Sequence, residues 1–476
     1  MHTLPYIRKR KQGGYLMLLA LVFGAIFVSL IGALSSYVLV ENRLQTLKYS
    51  QTQAFSIAEA GIEYYKWFLA HYPGDVTNGT GDSGPFDIPY YDPEGDEVGT
   101  IHLTVNGNAS CGQVTSIDLA SEGAANDNPS ATKTVYARYA QPSVGSYSYI
   151  LNDSVWAGPD RVINGPYHSN GGIRMDGTAN ALVTSSLSTW NCTTSYGCNP
   201  SQSNAPGVVG DGANQNLWQY PTPQVDFASI SANFNTLKST AEASGKYWSY
   251  GNKSSETNGV HLIFNANGTV TVKKVTKTNA PSVGAFVDSA DSGSTDDSLI
   301  KNESTVGTYT LPSDCGLIFV ENRAWIDGTI TGKVTVVVAD VTSASGSADA
   351  ILDDNITYSA YDGSVGLTVI AQDDVLVGPD TPDDMTLNGI FIAQGGAFGR
   401  NYYTSYAYAN RDTLTILGTT VSNKRTGTKW CLNQSCSSSA GYDNRIDSFD
   451  RHMASDPPPF TPAVSTDYEL IDWHEE

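Results

Sequence analysis

Residues 15–40 carry no charged side chain and are dominated by Leu, Val, Ile and Phe. At 1.5 Å per residue such a run spans about 39 Å, more than the roughly 30 Å of a hydrocarbon core, so the pattern predicts a transmembrane helix. The helical period continues beyond it. Leu44, Leu47, Ala54, Ala58, Ile62, Tyr65 and Leu69 recur at three- and four-residue spacing, and no proline interrupts before Pro73. One unbroken helix over 15–72 is therefore expected, apolar in its first half and amphipathic in its second.

The period then shortens to two. Residues 98–105, 114–122 and 132–140 alternate β-branched and polar side chains, which predicts a small antiparallel sheet packed on the helix. Together they define an αβ module over 41–142, with Pro142, Ser143, Val144 and Gly145 as a linker. From Ser148 onward short apolar runs follow one another between Gly, Asn and Asp, as in 149–151, 317–320, 334–339, 367–371 and 387–393. Strands this short with turns this frequent predict a mainly β chain whose large domain, 146–450, is a parallel β-solenoid (β-helix). A β-sandwich is the alternative, because no repeat of fixed length is legible. The rhythm weakens over about 191–307, which reads as an insertion with a helix near 227–245, serving either as a binding surface or as a decoration. Residues 451–476 form a Pro-rich tail.

Charge sharpens this picture. The 476 residues include 27 Lys and Arg against 48 Asp and Glu, a formal net charge of −21. So acidic a chain offers no broad footprint for phosphate backbones, and no specific nucleic-acid partner is expected. The local group Lys273, Lys274 and Lys277 is the one place where weak DNA contact is conceivable. At the other end, Arg8, Lys9, Arg10 and Lys11 precede the apolar run, and no cation follows until Arg43. That asymmetry places the N-terminus in the cytoplasm and everything beyond Glu41 outside. A cleaved secretory signal fits less well, since its apolar region should be shorter and end at small residues. Within the span Ala25, Ser29 and Ala33 lie four apart, as do Gly32 and Ser36, giving a small-residue face for helix–helix packing.

The run Arg8, Lys9, Arg10, Lys11, Gln12, Gly13, Gly14 followed by Tyr15 and a long apolar span resembles the class III signal of type IV pilins and pseudopilins. Residues 53–63 (Gln53, Ala54, Phe55, Ser56, Ile57, Ala58, Glu59, Ala60, Gly61, Ile62, Glu63) resemble the segment after the anchor in PilX-type minor pilins. The resemblance implies a leader over 1–14, cleavage between Gly14 and Tyr15 by a prepilin peptidase, and N-methylation of Tyr15. It implies partnership with other pilins through the helix, and passage from the inner or cytoplasmic membrane to an extracellular filament or the cell surface. Losing the leader would bring the net charge to −25. Leu19 stands where the family usually carries Glu, a departure shared by tip-type pseudopilins, and so suggests a tip or priming subunit. Residues 165–171, 318–328, 456–460 and 471–473 resemble an uncharacterised β-helical domain found behind such N-termini. The expected function is a minor pilin-like subunit displaying a solenoid head for adhesion to an unknown surface ligand or for filament priming. The alternatives are a permanently membrane-anchored adhesin and a surface glycan-active enzyme.

Six cysteines follow the anchor, on the oxidising side. Short spacing favours Cys192–Cys198 and Cys431–Cys436, leaving Cys111 with Cys315. No zinc-type spacing is present. Calcium is the one cofactor the acidic loops leave open, at 288–297 and at Asp380, Asp383 and Asp384, although neither follows the EF-hand order of ligands. Enzymatic readings are weak. Gly81, Asp82, Ser83 and Gly84 imitate a serine-protease nucleophile loop but lack a preceding His and Asp in a double barrel. Asp82 and Asp291 imitate aspartic-protease motifs but have polar flanks. Asp340, Asp373, Asp374 and Asp380 are carboxylates a glycan-cleaving β-helix would need, yet Asp is also a common turn residue. No catalytic residue is expected.

Overall fold

The computed structural model describes residues 13–249, 259–342, 348–433 and 439–475. The chain divides into two compact units, one comprising Met1–Asn106, Leu119–Ala137 and Asp472–Glu476, the other Gly107–Asp118 and Arg138–Ile471.

The first unit is built on helix α1, Gly13–His71, a continuous 59-residue element about 88 Å long. Its apolar N-terminal part is exposed throughout, and its most apolar window has a mean hydropathy of 2.6. Burial starts at Ser50 and follows the helical period through Ala54, Ile57, Ala58, Ile62, Tyr65 and Leu69. Leu44 and Leu47, expected on the same face, are 47% and 40% exposed, because the covering sheet does not reach that far along the helix.

The sheet has five strands rather than the three expected: β1 (Phe86–Tyr91), β2 (Glu97–Ser110), β3 (Gln113–Ala125), β4 (Asn128–Ala140) and a C-terminal strand, Glu469–Glu475, beside β4. β1 runs antiparallel to β2. The C-terminal strand is held by Trp473 edge-on to Phe55 (6.4 Å), His474 stacked on Tyr136 (5.1 Å) and the Lys133–Glu475 ion pair (2.7 Å). The Pro-rich tail thus ends as a strand.

Helix and sheet approach closely because glycine and alanine face each other. A Cβ added at Gly123 would sit 2.0 Å from the Ala54 carbonyl oxygen, and one at Gly61 would sit 2.2 Å from Ser121 Oγ.

Among the described residues, the second unit is organised around a large mixed sheet of 21 strands. Most of its pairings are parallel. Leu317–Val320, Lys333–Val338, Gly366–Ala371, Asp384–Ala393, Asn410–Ser422, Tyr149–Leu151, Tyr167–Ser169 and Val183–Ser185 pair successively in one parallel series. A second parallel series runs from Gly259–Asn265 through Ala324–Ile330, Ala350–Tyr358 and Val375–Val377 to Phe398–Gly399. These strands read as continuous apolar runs because both faces are buried. Ile318, Val320, Val336 and Val338 join the main core, while Leu317, Phe319 and Val337 pack on the opposite side against Leu237 and Ala241.

Leu237 and Ala241 belong to a helix, Phe234–Ala243, which falls within the expected helical stretch and is capped by Asn233. Its surroundings differ from the expected insertion. Lys246–Trp248 and Gly259–Asn265 pair parallel with Leu317–Val320 and Ala324–Ile330, so part of the 191–307 segment belongs to the sheet itself. Strands Thr269–Asn279 and Leu299–Thr310 extend it antiparallel. The expected linker is also different. Ser143 and Val144 are fully buried in a 3-10 turn, where Ser143 Oγ donates to the Met453 carbonyl (2.6 Å). A true linker would be solvated, and this segment is core.

Candidate functional site

The feature with the clearest functional bearing is α1. Nothing within the first unit buries its apolar half, so Leu, Val, Ile and Phe side chains over 15–40 stand in solvent unless lipid or other helices cover them. Each fully buried side chain of this kind gains about 1.5–3 kcal/mol, so an uncovered array carries a large free-energy bias towards lipid or a helical partner. Ala25, Ser29, Gly32, Ala33 and Ser36 lie within this exposed half. The Ser29 hydroxyl donates to the Ala25 carbonyl (2.8 Å), which satisfies its polarity without an outside partner. Gly32 has open space around it. Tyr15 is 78% exposed and Leu19 45% exposed. Gly14 lies in the first turn of α1, and most of the leader, residues 1–12, lies outside the described residues.

The second unit holds Cys111–Cys315 and Cys192–Cys198 as disulfides. Cys431 is also disulfide-bonded. Its expected partner Cys436 lies outside the described residues.

The carboxylates expected as catalytic or calcium-binding are dispersed. Asp380 and Asp383 are exposed and flank Arg411 at 3.8 and 3.7 Å, and Asp384 is exposed at the start of its strand. Asp340 accepts hydrogen bonds from the backbone and hydroxyl of Thr342 two residues on, a turn-forming arrangement. Asp82 and Ser83 lie exposed in an irregular loop, and His71 Nδ1 is taken by the Trp67 carbonyl (2.8 Å). Lys273 pairs with Glu303, while Lys274 and Lys277 are exposed.

Asp373 and Asp374 do come together with Asp288, their ligand atoms within 4.8 Å of one another. Asp288 is engaged by Lys424, and Asp374 Oδ1 accepts from the Ala397 amide (2.6 Å). Burial first, and the neighbouring carboxylates second, push the Asp374 carboxyl far above the usual range and raise Asp291 to about 6. Asp349, also buried, is raised as well. Protonated or amide-bonded carboxyls answer the cost of packing acids together.

A second group was not legible in the sequence. His261 donates from Nδ1 to Glu303 (2.7 Å) and from Nε2 to Asp327 (2.7 Å), with Asp353 beside it. Burial opposes a charged ring, but a carboxylate on each nitrogen outweighs it and favours the imidazolium. Four strands separated in sequence supply these groups, so no local spacing announces them.

No family model matches the chain, and no curated protein does. Among solved structures, the competence-associated pilin ComZ from Thermus thermophilus is similar over 90% of this chain and 97% of its own length, at 14% identity and a TM-score of 0.30. A TM-score of 0.30 marks a loose likeness.

Proposed function

We propose that the chain is a minor pilin-like subunit of a type IV pilus-related filament, located at the tip, that displays its β-domain for surface adhesion or filament priming. The observation that carries this reading is α1: one unbroken helix, exposed and apolar in its first half and buried on one face by a small antiparallel sheet in its second. Such a helix stays in the membrane until neighbouring helices cover the same surface, which is the physical requirement for extraction into a filament. Leu19 supports a tip position, because a carboxylate able to receive the next subunit's N-terminal amine is absent there.

We read the parallel series of the second unit as faces of a β-solenoid. Their in-register pairing and shared apolar interior support it. The protein acts by assembly and binding rather than by catalysis. In its acidic cluster Asp288 is engaged by Lys424 and Asp374 by the Ala397 amide, which is what structural acids do.

Mass spectrometry of the mature chain, expressed with a prepilin peptidase, tests the reading. The expected product begins at Tyr15 with an N-methyl group. Intact residues 1–14 would refute it in favour of a permanently anchored adhesin.

A further inference from the structure

The second unit contains a cavity of about 790 Å³, within the size range of pockets that bury a small ligand. Aromatic rings line it, among them Trp156, Tyr196, Phe286 and Trp430. The rings are fixed from behind. Trp156 Nε1 donates to Asp176 (2.7 Å), Trp430 Nε1 donates to the Arg400 carbonyl (2.8 Å), and Tyr196 packs edge-on to Trp190 (5.2 Å). The Cys192–Cys198 disulfide closes the loop that carries Tyr196.

The charges on the wall run against the rest of the chain. Four cations, Lys424, Arg425, Lys429 and Arg445, meet only two carboxylates, Asp153 and Asp160, in a protein of net charge −21. Three of the cations have carboxylate partners: Lys424 with Asp288, and Lys429 and Arg445 with Asp160. Arg425 has none within ion-pair distance among the described residues. Its guanidinium lies 4.4 Å from the Tyr196 ring centre and, among the described residues, donates one hydrogen bond, to the Ser195 carbonyl (2.7 Å). A half-buried guanidinium with donors to spare is suited to receive a carboxylate in bidentate fashion.

We infer that this cavity binds an acidic saccharide, a pyranose bearing a carboxylate, with Arg425 holding the carboxylate and Trp156 and Tyr196 contacting the sugar's apolar faces. Asp153, exposed at the rim, is placed to accept from sugar hydroxyls. A nucleic-acid strand fits less well, since it needs a positive groove that tracks several phosphates rather than one local patch on an acidic protein. This inference rests on the reading of the second unit as a displayed binding head, and supplies its ligand class.

Isothermal titration of the full chain in detergent tests it, with α2,3-sialyllactose and trigalacturonic acid as probes, lactose as the neutral control and a twelve-nucleotide oligothymidine as competitor. Binding of at least one acidic sugar is expected, with lactose far weaker. Arg425→Ala should reduce affinity about tenfold or more, and Arg425→Lys should recover part of it. Circular dichroism melting of each variant identifies any loss due to misfolding, and Trp156→Ala gives a second, uncharged probe of the same cavity. No binding of either acid, equal binding of lactose, tighter binding of oligothymidine, or indifference to both Arg425→Ala and Trp156→Ala would overturn the assignment. Because the mature N-terminus at Tyr15 is measured independently, failure here with a correctly processed chain refutes the ligand and not the pilin-like reading.

Discussion

Gly123→Ala puts the closest helix–sheet contact of the first unit to a test. The added Cβ would lie 2.0 Å from the Ala54 carbonyl oxygen and 2.6 Å from the Ala58 amide nitrogen, both backbone atoms of α1. Neither atom can rotate away, so the helix must lift from β3 by more than 1 Å, on the order of the gap to ordinary contact distance. Overpacking of this kind costs about 1–3 kcal/mol, offset by roughly 0.5 kcal/mol because alanine restricts the unfolded chain. For a unit of this size the net loss of about 0.5–2.5 kcal/mol corresponds to a fall of about 2–10 °C in Tm. Gly61→Ala meets side-chain atoms first, Ser121 Oγ and Ile101 Cγ2, which can yield, so its loss should be smaller. Gly24→Ala has open space and should not lower Tm. Thermal unfolding of the full chain in detergent, followed by near-ultraviolet circular dichroism, measures all three. A Gly123→Ala protein melting within about 1 °C of wild type would refute the close-packing argument.

Three further outcomes follow from the second unit. Asp447→Ala strands Arg161, since both side chains are almost fully buried and meet at 2.7 Å; a loss of about 3–5 kcal/mol is expected by denaturant titration, and replacing both residues with apolar ones should recover much of it. Burial alone would lower the His261 pKa, but Asp327 and Glu303 outweigh it and the net direction is up. Its stabilisation is therefore complete below the ordinary value of 6.5 and lost as pH rises through the higher folded value, while Asp353, raised to about 6 by burial, loses its own contribution as pH rises between 3.8 and 6. Tm should fall from pH 5 to pH 8.5, and less steeply in His261→Gln. Replacing Cys111 and Cys315 together with Ser opens a link between residues 204 apart and should cost up to about 5 kcal/mol in thermal unfolding.

How much of this was legible depended on whether the signal was local. α1 announced itself through a long uncharged run and then a helical period, because an exposed apolar surface and a sheet-covered one impose those patterns directly. The central strands β2, β3 and β4 were readable from alternation, since one face of each is buried. β1 contains Pro89, and the C-terminal strand is mostly exposed, so as edge strands they carried little hydrophobic signature. Gly259–Asn265 was hidden by its polar surroundings, although its own burial is nearly complete. The cavity could not be read at all. Asp153, Tyr196, Arg425 and Arg445 come from separate parts of the chain and meet only once the strands have paired. The same holds for the His261 and Arg161 networks, whose partners lie tens to hundreds of residues away.

The C-terminal strand gives the chain an unusual order of completion. Four strands and the helix of the first unit emerge early in synthesis, yet their sheet acquires its last strand only when Glu469–Glu475 is made. A chain halted anywhere in the long second unit would leave β4 with a bare edge and would lack the Trp473 contact to Phe55. The unit that carries α1 is begun early and finished last. An incomplete polypeptide therefore leaves the sheet that covers α1 one strand short.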